Sequence, residues 1–390
     1  MLELLFLLLP LAAAYGWYMG HRSAVQEKQE HSDHLSREYV TGLNLILSNQ
    51  SDKALDHFIE LLQLDSEAID THLALGNLFQ SRGEVDRAIK LHQNIIARSD
   101  INIDQKNLAL QELANDYLIA GFLDRAENIL VDLVDEPEHR KKALKQLLVI
   151  YQQTREWDKA IAVATALVKM GKTSLRVDIS HFYCELAQIS ILDHDEYNAR
   201  LLLKKAFSID KKHAVRASLM LAQLDFNDEK YKLAIKSLEY ILEQDIDFIG
   251  ESLPLLVKCY DNINDHQGLI KFLNKCQSIV KNTRIIVLLA QYLAKDEGIE
   301  IAENYLKAQV LDHPSLKGIY ELIRLHILEA EEGKAKESLK ILLLLTEEQL
   351  KTKPHYRCQK CGFESKTLYW QCPSCKRWGT VKPIRGLDGE

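Results

Sequence analysis

The sequence predicts an all-α chain, a superhelix of stacked helical hairpins with an apolar transmembrane helix before it and a small four-cysteine metal ribbon after it. Three observations predict this. Small residues recur with a period near 34 through most of the chain. The first twenty residues are apolar almost throughout. Four of the seven cysteines fall between Cys358 and Cys375. The chain accordingly divides into an anchor at 1–20, a juxtamembrane linker at 21–34, a repeat array at 35–350 and a metal-binding domain at 351–390. With 47% hydrophobic and 27% charged residues, the whole is too apolar for a disordered chain.

The anchor comes first. Leu2 to Gly20 is apolar except for Glu3. At about 1.5 Å per residue such a helix reaches about 28 Å, close to the hydrocarbon thickness of a bilayer. Ala12-Ala13-Ala14 imitates a signal-peptide cleavage site, but a signal peptide opens on Lys or Arg and this chain opens Met-Leu-Glu. The first positive charge, Arg22, follows the apolar run, with Lys28 and Arg37 beyond it. The positive-inside rule then leaves the N-terminus outside and the body in the cytoplasm. Tyr15, Trp17 and Tyr18 stand near the exit, where aromatic belts lie. The reading is an uncleaved anchor.

The repeat is carried by Ala54, Ala88, Ala126, Ala160, Ala199, Ala234, Gly268 and Ala302, at spacings of 34, 38, 34, 39, 35, 34 and 34. Twelve residues before these positions lie Gly42, Gly76, Ala114, Ala187, Ala222 and Ala290, with Leu148 and Leu256 in the fourth and seventh units. Small residues let the two helices of a hairpin, and the next hairpin, approach closely. The turns are marked by Gly83, Gly121 and the Arg155-Glu156-Trp157 stretch, and Pro314 closes the eighth unit. The pattern resembles the tetratricopeptide repeat, most clearly at 75–89, although that repeat's early Trp is missing. About eight or nine such hairpins make a superhelix whose first helices line a concave, protein-binding groove. The repeat phase puts Asn77, Gln80, Asn115, Lys145, Gln152, His181, Gln188 and Gln223 on that groove.

Cys358-Gln-Lys-Cys361 and Cys372-Pro-Ser-Cys375 are two CxxC knuckles a short hairpin apart. Together they supply four thiolates to one tetrahedral ion, a closed site with no open position for substrate and hence structural. The competing reading is a pair of redox CxxC motifs. Gly362 suits a turn position with positive φ, and Pro373 stiffens the second knuckle. Such thiols survive best in a reducing cytosol. The other cysteines, Cys184, Cys259 and Cys276, read as small buried hydrophobes.

Charge is unevenly spread. Residues 351–385 carry nine Lys or Arg against Glu364 alone. Their +8, set against the chain's net −7, leaves −15 for the rest. A basic module on an acidic body can dock on that body, on another acidic protein or on phosphate groups. The ribbon is expected to fold back on the last repeats through its basic surface and through Tyr369, Trp370 and Trp378.

No P-loop, dinucleotide fingerprint, nucleophile elbow or HExxH is present. Asp193-His194-Asp195-Glu196 imitates a catalytic cluster but falls at a turn between repeat helices. Nothing argues for an enzyme.

The whole chain resembles the lipopolysaccharide assembly protein B family of Gram-negative bacteria. The likeness rests on MLELLFLLLPLAAAYGWYMG, GNLFQSRGEVDRAI, HFYCELA, RCQKCGF, LYWQCPSC and KPIRGLDG. It implies a single-pass inner-membrane protein with a periplasmic N-terminus, a cytoplasmic repeat body and a rubredoxin-type domain. That domain would hold one iron or zinc ion on Cys358, Cys361, Cys372 and Cys375. The resemblance further implies an adaptor that restrains lipopolysaccharide synthesis. Its partners would be a membrane ATP-dependent zinc protease, the deacetylase that commits the cell to lipid A, lipopolysaccharide assembly enzymes and a second membrane protein acting as regulator. Homo-oligomers fit this picture, and nucleic acid is not an expected partner. The alternatives are a general membrane-anchored scaffold, a nucleic-acid-binding zinc ribbon, and electron transfer through a rubredoxin-like iron.

Overall fold

Helical periodicity dominates the computed structural model, which describes residues 15–22, 37–48, 50–64, 69–99 and 101–386. Among these residues no helix is long and apolar enough to cross a membrane. The predicted anchor lies outside them except for the helical residues 15–20, and the linker except for residues 21–22. The chain falls into two compact units divided between Gln153 and Thr154.

In the first unit helices follow one another in pairs: residues 37–47 with Ser51–Leu64, Ile69–Ser81 with Val85–Ile96, and Ile103–Ala120 with Leu123–Leu133. The repeat positions explain the pairing. Ala54, Ala88, Ala114 and Ala126 are wholly buried. A Cβ at Gly42 would overlap the Phe58 ring, and one at Gly76 would overlap the His92 ring. The partner helix therefore seats an aromatic side chain where glycine leaves room. Gly83 and Gly121 turn the chain with φ of 81° each, a left-handed conformation that glycine adopts without a Cβ penalty.

The second unit continues the pairs from Trp157–Lys169 to Lys334–Thr352. Ala160, Ala187, Ala199, Ala222, Ala234, Leu256 and Ala302 are again wholly buried. Here the turn position is held by Arg155, His194, Glu229 and Asn264, with φ of 61°, 60°, 61° and 53°, and then by Gly298. His194 thus sits in a turn, and Asp195 caps the next helix by accepting the Asn198 N–H at 3.0 Å. The acidic cluster is a helix boundary.

One irregularity breaks the rhythm. Between Tyr231–Glu239 and Ile249–Asn262 the chain inserts a short helix, Ile241–Gln244, and a 3₁₀ turn, Ile246–Phe248. Pro254 lies inside the Ile249–Asn262 helix and cannot donate to the Gly250 carbonyl. Arg284 takes that carbonyl instead, at 3.1 Å.

After Thr352 the chain forms a small antiparallel sheet of β1 (Tyr356–Cys358), β2 (Glu364–Ser365) and β3 (Val381–Pro383), ordered β2-β1-β3. Its register pairs Arg357 with Glu364 on one side and with Lys382 on the other. The sheet belongs to the second unit.

Candidate metal centre and its seat on the repeats

Each CxxC folds as a knuckle, and the two are built alike. The Gly362 N–H donates to the Cys358 carbonyl at 3.0 Å, and the Lys376 N–H to the Cys372 carbonyl at 2.9 Å. Gly362 (φ 77°) and Lys376 (φ 58°) both take the left-handed conformation that closes such a turn. The knuckles bring four sulfurs within 4.8 Å of one another. The Cys358 and Cys375 Sγ atoms are 3.8 Å apart, and those of Cys361 and Cys372 3.6 Å. A tetrahedron with metal–sulfur bonds of about 2.3 Å needs sulfurs about 3.8 Å apart, so the four residues fit one ion.

The surroundings favour thiolate at Cys358 and Cys361. Burial pushes the Cys358 thiol up, but the Thr380 hydroxyl and the Cys361 and Lys360 N–H groups outweigh it and bring the thiol to about 6. The Phe363 N–H lowers Cys361. Burial leaves Cys372 at about 11, partly offset by the Cys375 and Ser374 N–H groups. A divalent ion bound there would supply the missing positive charge and hold all four as thiolates. Cys361 is exposed while Cys358 and Cys372 are buried.

The ribbon lies on the repeats of its own unit. Trp378 is 6% exposed, stacked on His181 at 5.3 Å between centroids and edge-on to Phe182 at 5.7 Å and Trp157 at 6.0 Å. Trp370 stacks on Phe248 at 5.4 Å and leans on His181 at 5.8 Å. Gly379 lets the ribbon backbone come close, because a Cβ there would lie 3.2 Å from His181 Nε2. Around this aromatic centre runs a polar rim. Lys382 Nζ donates to Asp245 at 2.9 Å and Asp247 at 2.7 Å, and Arg385 also donates to Asp247. The Tyr356 hydroxyl donates to Glu251 at 2.8 Å, and Arg284 holds the same Glu251 oxygen at 2.9 Å.

Of the three ways the basic ribbon could use its charge, docking on its own acidic body is the one seen. Trp370 and Trp378 make the contact as expected, whereas Tyr369 stays 43% exposed. The seat is not on the last repeats. It lies between Trp157 and Glu251, because the aromatic surface and the Asp245-Ile246-Asp247 turn are there.

The predicted groove residues divide. His181 is 3% exposed beneath the ribbon, so its face is occupied by the chain itself. Burial first, and Arg216 second, lower its pKa to about 3, and its Nδ1 has no hydrogen-bond partner among the described residues. In the first unit Gln80 and Asn115 join a polar row. Asn115 donates to Gln80 at 3.1 Å, Gln80 to the buried Asp116 at 2.5 Å, and Gln146 to Asn115 at 3.3 Å. Asn77 and Lys145 are exposed in the same unit, and Gln188 and Gln223 in the second. Gln152 bonds back to the Leu148 carbonyl at 3.2 Å.

Sequence reasoning missed Trp157, Phe182, Phe248, Asp245, Asp247 and Glu251 as seat residues. Two acids flanking one apolar residue beside aromatic Phe248 were the available signal, opposite in charge to the ribbon.

Two family models agree with this architecture. Residues 356–383 match the family model described as a rubredoxin metal binding domain, and residues 71–100 a tetratricopeptide repeat. A crystal structure of a tetratricopeptide repeat protein from Parabacteroides merdae is 16% identical over 72% of this chain and 99% of its own, with a TM-score of 0.32. Lipopolysaccharide assembly protein B of Escherichia coli (strain K12) is 48% identical over 389 residues, covering 100% of both chains. That of Haemophilus influenzae is 43% identical over 397 residues, again with 100% of both. Repeats, four-cysteine ribbon and full-length identity together make this chain a member of the lipopolysaccharide assembly protein B family.

Proposed function

We propose that the chain is a non-catalytic adaptor in lipopolysaccharide assembly. In this reading residues 1–20 confine it to the inner membrane with its body in the cytoplasm. The repeats and ribbon then present the lipid A-committing deacetylase to the membrane ATP-dependent zinc protease. The observation that carries the reading is full-length identity of 48% to a relative named for lipopolysaccharide assembly. The fold supports it, since tetratricopeptide repeats serve protein contacts.

Partner contacts are assigned to Asn77, Gln80, Asn115, Lys145, Gln152, Gln188 and Gln223. Gln80 and Asn115 stand in a row of side-chain amides suited to the backbone of a client segment. His181 is assigned to the ribbon seat instead. Cys358, Cys361, Cys372 and Cys375 hold one iron or zinc ion, whose part is to keep the ribbon folded. An anchor shared with membrane partners raises their effective concentration without new contacts.

The test is deacetylase half-life in cells carrying the intact chain, a chain lacking residues 1–20, or Cys358→Ser/Cys361→Ser. Faster turnover with the intact chain alone is expected. Equal turnover in all three would leave a general scaffold that gathers assembly enzymes as the better account.

A further inference from the structure

The helices Ile249–Asn262 and Thr283–Asp296 are the first helices of the seventh and eighth hairpins, and they pack side by side. At their opening turns Glu251, held by Arg284, receives the ribbon's Tyr356. From Glu251 to Asp261 the helix advances about 15 Å. There the closing turns border a cavity of about 280 Å³, to which the ribbon contributes no residue. Its walls include Val257, Asp261, Leu288, Tyr292, Lys295 and Asp296. Small-molecule pockets run to about 300–1,000 Å³, so this one suits a single long side chain rather than a cofactor.

Charge indicates which side chain. Asp261 and Asp296 both stand in the last turn of a helix, where the helix dipole adds negative potential and favours a cation. Among the described residues the Asp296 carboxylate has no ion pair or hydrogen bond, and that of Asp261 meets His266 alone, at 3.5 Å. Burial first, then Asp261 and Asp296, raise the pKa of the Tyr292 phenol, so both carboxylates lie near it. Lys295 lies 5.5 Å from the centroid of the Tyr292 ring and pairs with neither acid. Two acids thus stand against one lysine. They do not form a metal site, because among the described residues only the four ribbon cysteines come together closely enough.

The ribbon shows what such a constellation holds. Its Lys382 ammonium sits between Asp245 and Asp247 and 5.9 Å from the centroid of the Phe248 ring. Asp261, Asp296 and Tyr292 offer the same two carboxylates and aromatic face, and Val257 and Leu288 add an apolar wall for a stem. We propose that this cavity takes the lysine or arginine side chain of a partner polypeptide, with its stem against Val257 and Leu288 and its head between Asp261 and Asp296. Lys295 is the competitor that it displaces from the Tyr292 ring. The inference rests on the reading of the repeats as a protein-binding surface, and adds the charge that the partner must bring.

The test is fluorescence anisotropy with the full chain in uncharged detergent. The probes are a dye-labelled peptide, Ala-Leu-Ala-Arg-Ala-Leu-Ala, and its citrulline counterpart, which has the same shape and no charge. The arginine peptide should bind about five- to tenfold tighter, and added salt should narrow the gap. Asp261→Asn/Asp296→Asn should erase the preference and leave the tryptophan emission of the ribbon seat unchanged. Lys295→Met should tighten arginine binding by about threefold, a gain that a role in packing alone would not produce. Equal affinity for the two peptides overturns the proposal. So does a preference that survives the double substitution, or no binding of either peptide at millimolar concentration. Each of these results leaves deacetylase turnover, and with it the adaptor reading, untouched. Conversely, unchanged deacetylase turnover beside an intact arginine preference removes that client and keeps the site.

Discussion

His181 shows how a single side chain can report on a whole contact. Its ring is buried between Trp370 and Trp378, and burial holds its pKa at about 3. The unfolded or undocked ring protonates near its ordinary 6.5, so below that pH the open form binds the extra proton. The seat's stability is complete above about pH 6.5 and falls as pH drops toward 3. Tryptophan emission should therefore shift on acidification, and His181→Phe should move the transition to lower pH. Trp378→Ala leaves a cavity among Trp157, Phe182 and His181 and should destabilise the seat by about 3–5 kcal/mol in denaturant titrations. Lys382 and Asp247 are partly solvated, so a double-mutant cycle should give a coupling of only about 1 kcal/mol. At this scale the clustering of the four cysteines was legible because CxxC spacing is a local geometric constraint. His181 was read as a groove residue open to a partner, and the ribbon that covers it was not legible. Repeat phase gives a direction, whereas Trp378 arrives from almost two hundred residues away.

Among the elements, the ribbon has too little apolar surface to fold unaided. Its core is Tyr356, Cys358, Cys372 and Val381, two of the four being cysteines of the metal-site cluster. Removing the metal should melt the sheet, expose Trp370 and Trp378 and red-shift their emission, and zinc or ferrous iron should reverse this. A ribbon that stays docked after chelation would show that the seat, not the ion, holds it. The Ile249–Asn262 helix depends on its neighbour in another way. Arg284→Met removes the donor that occupies the Gly250 carbonyl and also frees Glu251, so it should destabilise this helix by about 1–3 kcal/mol and loosen Tyr356 with it. The hairpins were legible because small residues at fixed period have one cause, close helix approach. The turns at Glu229 and Asn264 were harder to read than those at Arg155 and His194, since these residues do not advertise the left-handed conformation that the register imposes on them. The 3₁₀ insertion at Ile246–Phe248 was invisible to a 34-residue period, and it carries the acids that receive the ribbon.

For the molecule as a whole, membership in the family was legible from long strings spread from the first residue to the last. The seat was not, because it depends on two surfaces whose match appears only after folding. That match constrains how the chain can vary. Trp157, Phe182, His181, Asp245 and Asp247 lie on one side, and Trp370, Trp378, Lys382 and Arg385 on the other. A substitution on either surface changes what the other must be, so the two halves of the contact constrain each other. A hybrid joining these repeats to the tail of a relative should assemble only where both sets of residues agree, however well each parent folds alone.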